Sequence, residues 1–319
     1  MAQLAAVGTG VIGAGWVARF VLHGHDVVVF EPKDETFADL TRTVERAATA
    51  YSSLNIGAPT CGTIRRATSI ADAVANAEFV QESVPEVIEL KARVLGEIDA
   101  HLPASSTIGS STSGLLPTDL QMSLAHPERL VVGHPFNPVY LLPVVEVVGG
   151  ATTSPETIER ARTFYASVGM KPVHIKKEID AFVADRLLEA VWREALWLVN
   201  DGVATTQEID DIIRYGFGLR WAQMGMFETY RIAGGPAGMR HFMAQFGPAL
   251  QWPWSKLTDV PEFTDELVEL ISGQSDEQSG MFTLSELEET RDGNLVAILN
   301  ALRGRAWGAG ALLDGREDR

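Results

Sequence analysis

The sequence predicts an α/β protein in two parts, a mostly parallel sheet flanked by helices and then an all-helical segment. Short apolar runs alternate with amphipathic helical patterns as far as about residue 178, which is typical of parallel strands joined by crossover helices. From residue 179 the apolar residues recur at helical spacing, without a strong strand pattern. We therefore expect two domains, residues 1–178 and residues 179–319.

The first apolar run, residues 4–7, ends in a glycine-rich turn. This turn is Gly8-Thr9-Gly10-Val11-Ile12-Gly13, and a helical pattern follows it. Glycines at this spacing let the backbone approach a pyrophosphate at a helix N-terminus. A second apolar run ends at Glu31, where a carboxylate accepts hydrogen bonds from an adenosine ribose and repels a 2′-phosphate. The arrangement predicts a Rossmann-type domain that binds NAD through these turn residues and Glu31.

The later elements of the first domain follow from the same periodicities. The expected order is helix 34–54, strand 77–81, helix 87–102, strand 106–109, strands 130–132 and 144–148, a helix opened by residues 153–156, and strand 172–175. Pro155 suits the first turn of that helix, and Glu156 is suited to a capping box. Both the glycine turn and the serine cluster at 110–113 follow strands, so we expect both at the sheet's carboxyl edge.

The second domain is expected to begin with a long helix over residues 179–199. Thr205-Thr206-Gln207-Glu208 predicts a capping box for the next helix, which should run to Tyr215. Gly216 and Gly218 are read as stop signals. An apolar helical domain of this kind predicts dimerisation, because one apolar face needs a partner. We expect the same domain to be the one that binds substrate.

Composition excludes several classes of protein. A formal net charge of −16 over 319 residues argues against nucleic acid and anionic membranes as partners. The single cysteine, Cys61, excludes an internal disulfide and a thiolate metal cluster and fits a reducing cytoplasm. No apolar run reaches the length of a membrane span. We expect a cytoplasmic protein with a small-molecule substrate and no metal.

Two titratable residues stand inside apolar runs, His134 after residues 130–132 and Glu146 within residues 144–148. A buried carboxylate is costly unless it is paired, and a carboxylate fixes the tautomer of an imidazole and raises its basicity. Each residue is therefore the economical partner of the other, which gives a general base for oxidising an alcohol. A lone histidine in such a place is more often a satisfied core residue, and Asn137 in a proline-flanked turn directly afterwards favours the catalytic interpretation.

Six long strings resemble the 3-hydroxyacyl-CoA dehydrogenase superfamily over almost the full chain. They are GTGVIGAGWVARF, QESVPEVIELK, IGSSTSGLLPTDLQ, HPERLVVGHPFNPVYLLPVVEVVGG, AFVADRLLEAVWREALWLV and GLRWAQMGMFETYRIAGGPAGMRHFMAQFGPALQWPW. The resemblance implies an NAD-dependent dehydrogenase that forms homodimers. It also implies the roles of individual residues: base His134, orienting Glu146, hydroxyl-binding Ser113 and Asn137, and cofactor-contacting Glu86 and Lys91. On position alone, the serine cluster would serve equally well as a plain loop.

Within that superfamily the strings are similar to the branch that oxidises L-carnitine, which implies conversion of L-carnitine to 3-dehydrocarnitine. One position departs from the acyl-CoA members, which carry asparagine in a Gly-Phe-x-x-Asn-Arg string. This chain has Asp185 there, in AFVADR. A carboxylate suits a cationic substrate, and an ion pair with Arg186 or Arg193 would explain Asp185 equally well.

Carnitine carries a quaternary ammonium, which aromatic faces and diffuse negative charge recognise. Tyr140 and Trp221 are the hypothesised cage residues, and most other aromatic residues are expected in the core. The substrate carboxylate needs a cation, and the sequence leaves four candidates: Arg186, Arg193, Arg220 and Arg231. Three other functions stay open, namely an L-gulonate 3-dehydrogenase or lambda-crystallin relative, a 3-hydroxyacyl-CoA dehydrogenase, and a non-catalytic NAD-binding structural protein.

Overall fold

One eight-stranded sheet lies at the centre of the computed structural model, which describes residues 3–222, 225–233, 236, 238–246, 262, 264–267, 269–270, 273–274, 281, 283–304 and 308–314. The strands are β1 (Gln3–Val7), β2 (Asp26–Phe30), β3 (Ile64–Arg66), β4 (Phe79–Glu82), β5 (Thr107–Ser110), β6 (Leu130–Pro135), β7 (Val144–Gly149) and β8 (Lys171–Ile175). Their order is β3-β2-β1-β4-β5-β6-β7-β8. Strands β1 to β6 are parallel, whereas β7 is antiparallel to β6 and parallel to β8. The predicted mostly parallel sheet is confirmed.

Six helices cover the two faces of this sheet. They are α1 (Val11–Leu22), α2 (Asp34–Leu54), α3 (Ile70–Val74), α4 (Ile88–His101), α5 (Pro117–Gln121) and α6 (Pro155–Ser167). Side chains of α1, α2 and α6 form one apolar cluster with the strands, and side chains of α3, α4 and α5 form a second. Because both faces are covered, every residue of the central strands β4, β5 and β6 is buried, including the polar Gln81 and Glu82.

Among the described residues after β8, all the regular elements are helices. Its helices are α7 (Ala184–Asn200), α8 (Thr206–Ile212), a π-helical turn at Ile213–Phe217, and helices at Gly218–Trp221, Met226–Ala233, Gly238–Phe246, Leu284–Arg303 and Gly308–Leu312. The fold class of an α/β domain followed by a helical domain is therefore confirmed. The domain boundary at residue 178 lies between β8 and α7 and stays a prediction.

The long helix expected from residue 179 begins later, at Ala184. Ala181 and Phe182 have positive φ angles of 57° and 47°, a backbone conformation that is not right-handed helix. The Phe182 ring is fully buried against Val132 and Val148 of the sheet. The prediction was wrong here because tertiary burial of Phe182 overrides the helical spacing of the local sequence.

Two other local predictions were wrong. Ser154 does cap α6, but its side chain accepts from the amide of Thr157, so Thr157 and not Glu156 occupies the third helical position. Gly218 does not stop a helix but begins one, and the break lies at Gly216, whose ψ is −116°. The Thr205–Glu208 capping box is confirmed. Within the described residues, no helix has the length and apolar composition needed to cross a bilayer.

Candidate active site

The glycine turn between β1 and α1 leaves room for a ligand. Gly8 has a φ of +87°, and a Cβ on Gly13 would lie 2.0 Å from the Gly8 carbonyl oxygen, so both positions require glycine. At Gly10, by contrast, no atom of the described residues lies within 4 Å of an added Cβ. An open position beside the first amides of α1 is where a pyrophosphate is held by free N–H groups and the helix dipole. The turn therefore fits a dinucleotide.

Glu31, at the end of β2, faces this turn. One carboxylate oxygen accepts from the amide of Thr9 at 2.9 Å and from its hydroxyl at 3.2 Å, and the other accepts from the amide of Lys33 at 3.0 Å. Glu31 and the turn residues Gly8, Gly10, Val11 and Ile12 line the same cleft of 690 Å³, a volume typical of ligand sites. Binding of the adenosine ribose by Glu31 stays a prediction.

His134 and Glu146 lie directly opposite each other on the antiparallel strands β6 and β7. His134 Nδ1 is 2.9 Å from Glu146 Oε2, and the two residues are 5% and 3% exposed. The carboxylate fixes the ring orientation with a hydrogen on Nδ1, which leaves Nε2 as the group free to accept a proton. The other Glu146 oxygen accepts from the amides of Val183 and Ala184 at 3.0 and 3.1 Å. These two amides stand at the start of α7, where backbone N–H groups have no partner within the helix.

Asp185 lies on the proton-accepting side of His134. Its Oδ2 is 3.7 Å from His134 Nε2, and its side chain is 24% exposed. Burial raises the pKa of Asp185, with smaller contributions in the same direction from Glu146 and Glu189 and an opposing one from His134. The expected alternative, an ion pair of Asp185 with Arg186 or Arg193, is not found among the described residues, where Asp185 faces His134 and Arg193 pairs with Glu189 at 3.1 Å.

Glu86 holds the serine loop that follows β5. It accepts hydrogen bonds from the Thr112 hydroxyl and from the amides of Ser113 and Gly114, the last two at 3.0 and 3.2 Å. Partial burial acts to raise the pKa of Glu86, but the Thr112 hydroxyl, the charge of Lys91 and these amides together hold it below its usual range. Glu86 thus fixes the backbone of the loop that carries Ser113.

Lys91 is buried beneath this loop, with 1% of its side chain exposed. Its ammonium lies 2.9 Å from Glu82 Oε1, 3.1 Å from the Val84 carbonyl oxygen and 3.4 Å from Glu86 Oε2. The predicted direct contacts of Glu86 and Lys91 with the cofactor stay predictions.

Sequence reasoning missed Glu82, which is fully buried at the end of β4. Its carboxylate accepts from Ser110 Oγ at 2.5 Å and from the Val84 amide at 2.6 Å, in addition to Lys91. The signal was available, because an acid inside an apolar strand demands a partner, as it did for Glu146.

Ser113 and Asn137 lie in the segments that directly follow β5 and β6, two neighbouring parallel strands. Both side chains are exposed, and both segments leave the sheet at its carboxyl edge, the edge that carries the glycine turn. The structure thus brings the segments together, and binding of a substrate hydroxyl by these two residues stays a prediction.

The two hypothesised cage residues differ in placement. Tyr140 is 4% exposed, its hydroxyl donates to Asp292, and it lines a 410 Å³ cavity beside the glycine turn and Asn137. This burial makes Tyr140 a packing residue in the structure as described. Trp221 is 42% exposed, and its ring centroid lies 4.6 Å from that of Phe217. Ammonium binding by either residue stays a prediction, and the side chain of Arg231 lies outside the described residues.

Comparison with known proteins decides which family this geometry represents. Residues 3–179 match the sequence model of the 3-hydroxyacyl-CoA dehydrogenase NAD binding domain, and residues 182–266 match that of the 3-hydroxyacyl-CoA dehydrogenase C-terminal domain. The chain belongs to the 3-hydroxyacyl-CoA dehydrogenase family. As a member of this family it is an NAD-dependent oxidoreductase, and the open glycine turn with its cleft fits that cofactor.

Several members of the family are similar to the chain over almost all of its length. An L-carnitine dehydrogenase of Mesorhizobium japonicum is 63% identical over 316 residues, which cover 97% of this chain and 87% of that protein. The L-carnitine dehydrogenase of Pseudomonas putida is 53% identical, with 94% and 93% covered. An L-carnitine dehydrogenase/betainyl-CoA thioesterase of Agrobacterium fabrum is 60% identical over 99% of this chain, which spans 65% of that longer protein.

Solved structures similar to the chain include two dehydrogenases. The first is a 5-formyl-3-hydroxy-2-methylpyridine 4-carboxylic acid 5-dehydrogenase, described as an NAD+-dependent dismutase. It has a TM-score of 0.80 and 30% identity, with 99% of this chain and 100% of that chain covered. A 3-hydroxybutyryl-CoA dehydrogenase from Escherichia coli has a TM-score of 0.62 and 25% identity, with 85% and 56% covered. Dehydrogenases named for different substrates therefore share this fold, so the substrate has to be argued from the site.

Proposed function

We propose that this chain is an L-carnitine dehydrogenase, which oxidises the 3-hydroxyl of L-carnitine to give 3-dehydrocarnitine and NADH. The observation that carries the proposal is the carboxylate of Asp185, 3.7 Å from His134 Nε2. The relatives named L-carnitine dehydrogenase, at 53% and 63% identity over most of the chain, support it.

The position of Asp185 matches the charge distribution of carnitine. In L-carnitine the trimethylammonium group is bonded to C4, next to the carbon that bears the hydroxyl. A substrate whose hydroxyl meets His134 Nε2 therefore carries its positive charge within a few ångströms of the Asp185 carboxylate. At such short range in a partly buried site, opposite charges attract by about 3 kcal/mol. An uncharged acyl thioester gains nothing from this carboxylate.

The proton chemistry belongs to the chain itself. Ser113 and Asn137 orient the 3-hydroxyl, and His134 Nε2 takes its proton. Glu146, 2.9 Å from Nδ1, stabilises the imidazolium that forms and keeps the ring in one orientation. Bound NAD supplies the hydride acceptor. Because the substrate hydroxyl is held against His134, proton transfer between them becomes effectively intramolecular.

We also infer that two copies of the chain associate. The supporting observation is an apolar face on α7, where Leu187, Leu188 and Trp192 are 55%, 57% and 55% exposed in the single chain. Apolar side chains that are exposed together in this way mark an association surface. A cytoplasmic location is proposed on the low cysteine content alone.

The proposed function is tested by NADH formation with purified protein and four substrates. These are L-carnitine, D-carnitine, L-gulonate and 3-hydroxybutyryl-CoA. We expect turnover of L-carnitine alone, because the other compounds lack either the positive charge or the correct configuration at C3. Turnover of L-gulonate or of the CoA ester without L-carnitine turnover would refute the proposed substrate. If NADH binds and none of the four alcohols is oxidised, the chain is a non-catalytic binding protein.

A further inference from the structure

One hydroxyl group, that of Ser111, joins helix α1 to the ends of β4 and β5. Trp16 of α1 is fully buried and donates its indole N–H to Ser111 Oγ at 3.1 Å. The side-chain amide of Gln81 donates to the same oxygen at 2.8 Å, and its carbonyl oxygen accepts from the Tyr165 hydroxyl at 2.8 Å. Ser83 Oγ lies 2.8 Å from Ser111 Oγ.

The direction of the bond between the two serines follows from counting donors. A hydroxyl has one hydrogen to donate and two lone pairs to accept with, and an indole N–H only donates. Trp16 and Gln81 therefore occupy both lone pairs of Ser111, so the Ser111 hydrogen must point to Ser83 Oγ. The hydrogen of Ser83 is then left over, and no described residue accepts it.

Ser83, which carries this hydrogen, lies at the cofactor cleft. Its backbone and side chain pack on the glycine turn, since a Cβ on Gly8 would come within 2.8 Å of the Ser83 carbonyl oxygen, and one on Gly13 within 3.1 Å of Ser83 Cβ. Ser83 lines the 690 Å³ cleft together with Gly8 and Gly10.

The order of the strands indicates which part of the dinucleotide would lie beside Ser83. Glu31 follows β2, the glycine turn follows β1, Ser83 follows β4, and His134 lies on β6. With the adenosine at Glu31 and the pyrophosphate at the glycine turn, the next group towards His134 is the ribose that carries the nicotinamide. In that arrangement the end of β4 would lie beside this ribose.

We propose that the Ser83 hydroxyl donates a hydrogen bond to the nicotinamide-side ribose, and that Ser111 and Trp16 are positioning residues that aim it. The contact fixes the nicotinamide relative to the base at the reacting side of the sheet. It depends on NAD being the cofactor and is independent of which alcohol is oxidised.

The test compares three ligands that differ by one group each: ADP, ADP-ribose and NADH. In Ser83→Ala we expect the Kd of ADP-ribose and of NADH to rise about 3- to 10-fold, the worth of one hydrogen bond, while the Kd of ADP stays unchanged. Isothermal titration calorimetry measures all three. Ser53→Ala is the matched control, because the Ser53 hydroxyl is exposed on α2 and donates to the Thr49 carbonyl oxygen.

Two outcomes would overturn the contact with the ribose. Equal weakening of ADP and NADH would mean that Ser83 shapes the glycine turn, and unchanged NADH binding would mean that it makes no contact. Ser111→Ala tests the positioning role without touching Ser83. We expect a smaller rise, about 2- to 3-fold, in the Kd of ADP-ribose and NADH, and no change there would refute the role assigned to Ser111.

Discussion

His134 and Glu146 are held by the sheet rather than by loops. Their strands place them in direct register, and neither residue is more than 5% exposed. Cross-strand neighbours of this kind have little freedom to separate. In the proposed mechanism, the charge that would stabilise the imidazolium is therefore in place before substrate arrives, an arrangement that lowers the cost of reorganisation during reaction.

We expect Glu146→Gln to lower kcat for alcohol oxidation about 100-fold or more. The glutamine oxygen can still accept from the amides of Val183 and Ala184, so the start of α7 is kept, but no negative charge faces the imidazolium. Steady-state kinetics measures the loss, and fluorescence titration checks that NADH binding is unchanged. Glu178→Gln is the control, since Glu178 binds Thr118. An unchanged kcat in Glu146→Gln would make the pair a purely structural one.

Asp185→Asn tests charge recognition with little change in shape. We expect the KM for L-carnitine to rise about 10- to 100-fold. The isostere 3-hydroxy-5,5-dimethylhexanoate keeps the carboxylate but has carbon in place of the charged nitrogen, and its KM should stay within about 3-fold. The comparison separates charge from geometry, because the two compounds have the same shape. If both KM values rise together, Asp185 acts on His134 and not on the ammonium.

The same residue predicts a pH dependence. Burial raises the pKa of Asp185, so in the free protein the carboxylate ionises at a higher pH than usual. The ammonium binds the ionised form, and therefore KM for L-carnitine should fall as the pH rises through this pKa. The isostere should not show the fall, nor should Asp185→Asn with L-carnitine. The measurement is the KM of both compounds with the unaltered protein, and of L-carnitine with Asp185→Asn, across the pH range.

At the scale of elements, the ends of β4 and β5 are joined through buried charge. Lys91 reaches Glu82 at 2.9 Å with both side chains almost fully buried, and Glu82 in turn binds Ser110 of β5. Removing one partner of such a pair leaves an uncompensated buried charge. The pair therefore ties the start of the serine loop to β4 through Ser110, and Lys91 also lies 3.4 Å from Glu86, which holds the amides of Ser113 and Gly114.

We expect Lys91→Met to lower the free energy of unfolding by about 3–5 kcal/mol, because the Glu82 carboxylate loses its buried counter-charge. The double variant Glu82→Gln/Lys91→Met should recover part of that loss, since no charge remains buried. Urea unfolding followed by circular dichroism measures both. A double variant that is destabilised by the sum of the two single changes would show that the residues act independently.

Elements whose residues repeat regularly could be predicted from the sequence, and contacts between distant segments could not. The strand–glycine turn–helix–strand order and the acid at Glu31 follow local patterns, and the His134–Glu146 pairing follows from the cost of leaving either residue alone in an apolar strand. The turn at Ala181 and Phe182 could not be foreseen, since the burial of Phe182 against β6 and β7 is a property of the folded chain.

For the whole molecule, the apolar face of α7 predicts self-association. We expect Leu188→Glu to shift the protein from dimer to monomer, because a charge in an apolar interface is costly to desolvate. Light scattering after size-exclusion chromatography measures the mass. Met122→Glu, at an apolar side chain 85% exposed on the first domain, is the matched control and should leave the mass unchanged. A dimeric Leu188→Glu variant would place the interface elsewhere.

The two oxygens of Glu146 belong to different parts of the chain, one to His134 and one to the first amides of α7. This sharing limits how the enzyme can be redesigned. Exchanging residues 181–184 would disturb this carboxylate, because the amides of Val183 and Ala184 hold it. A graft from another dehydrogenase should therefore join the chain after residue 184, where Asp185 already offers a position for new specificity.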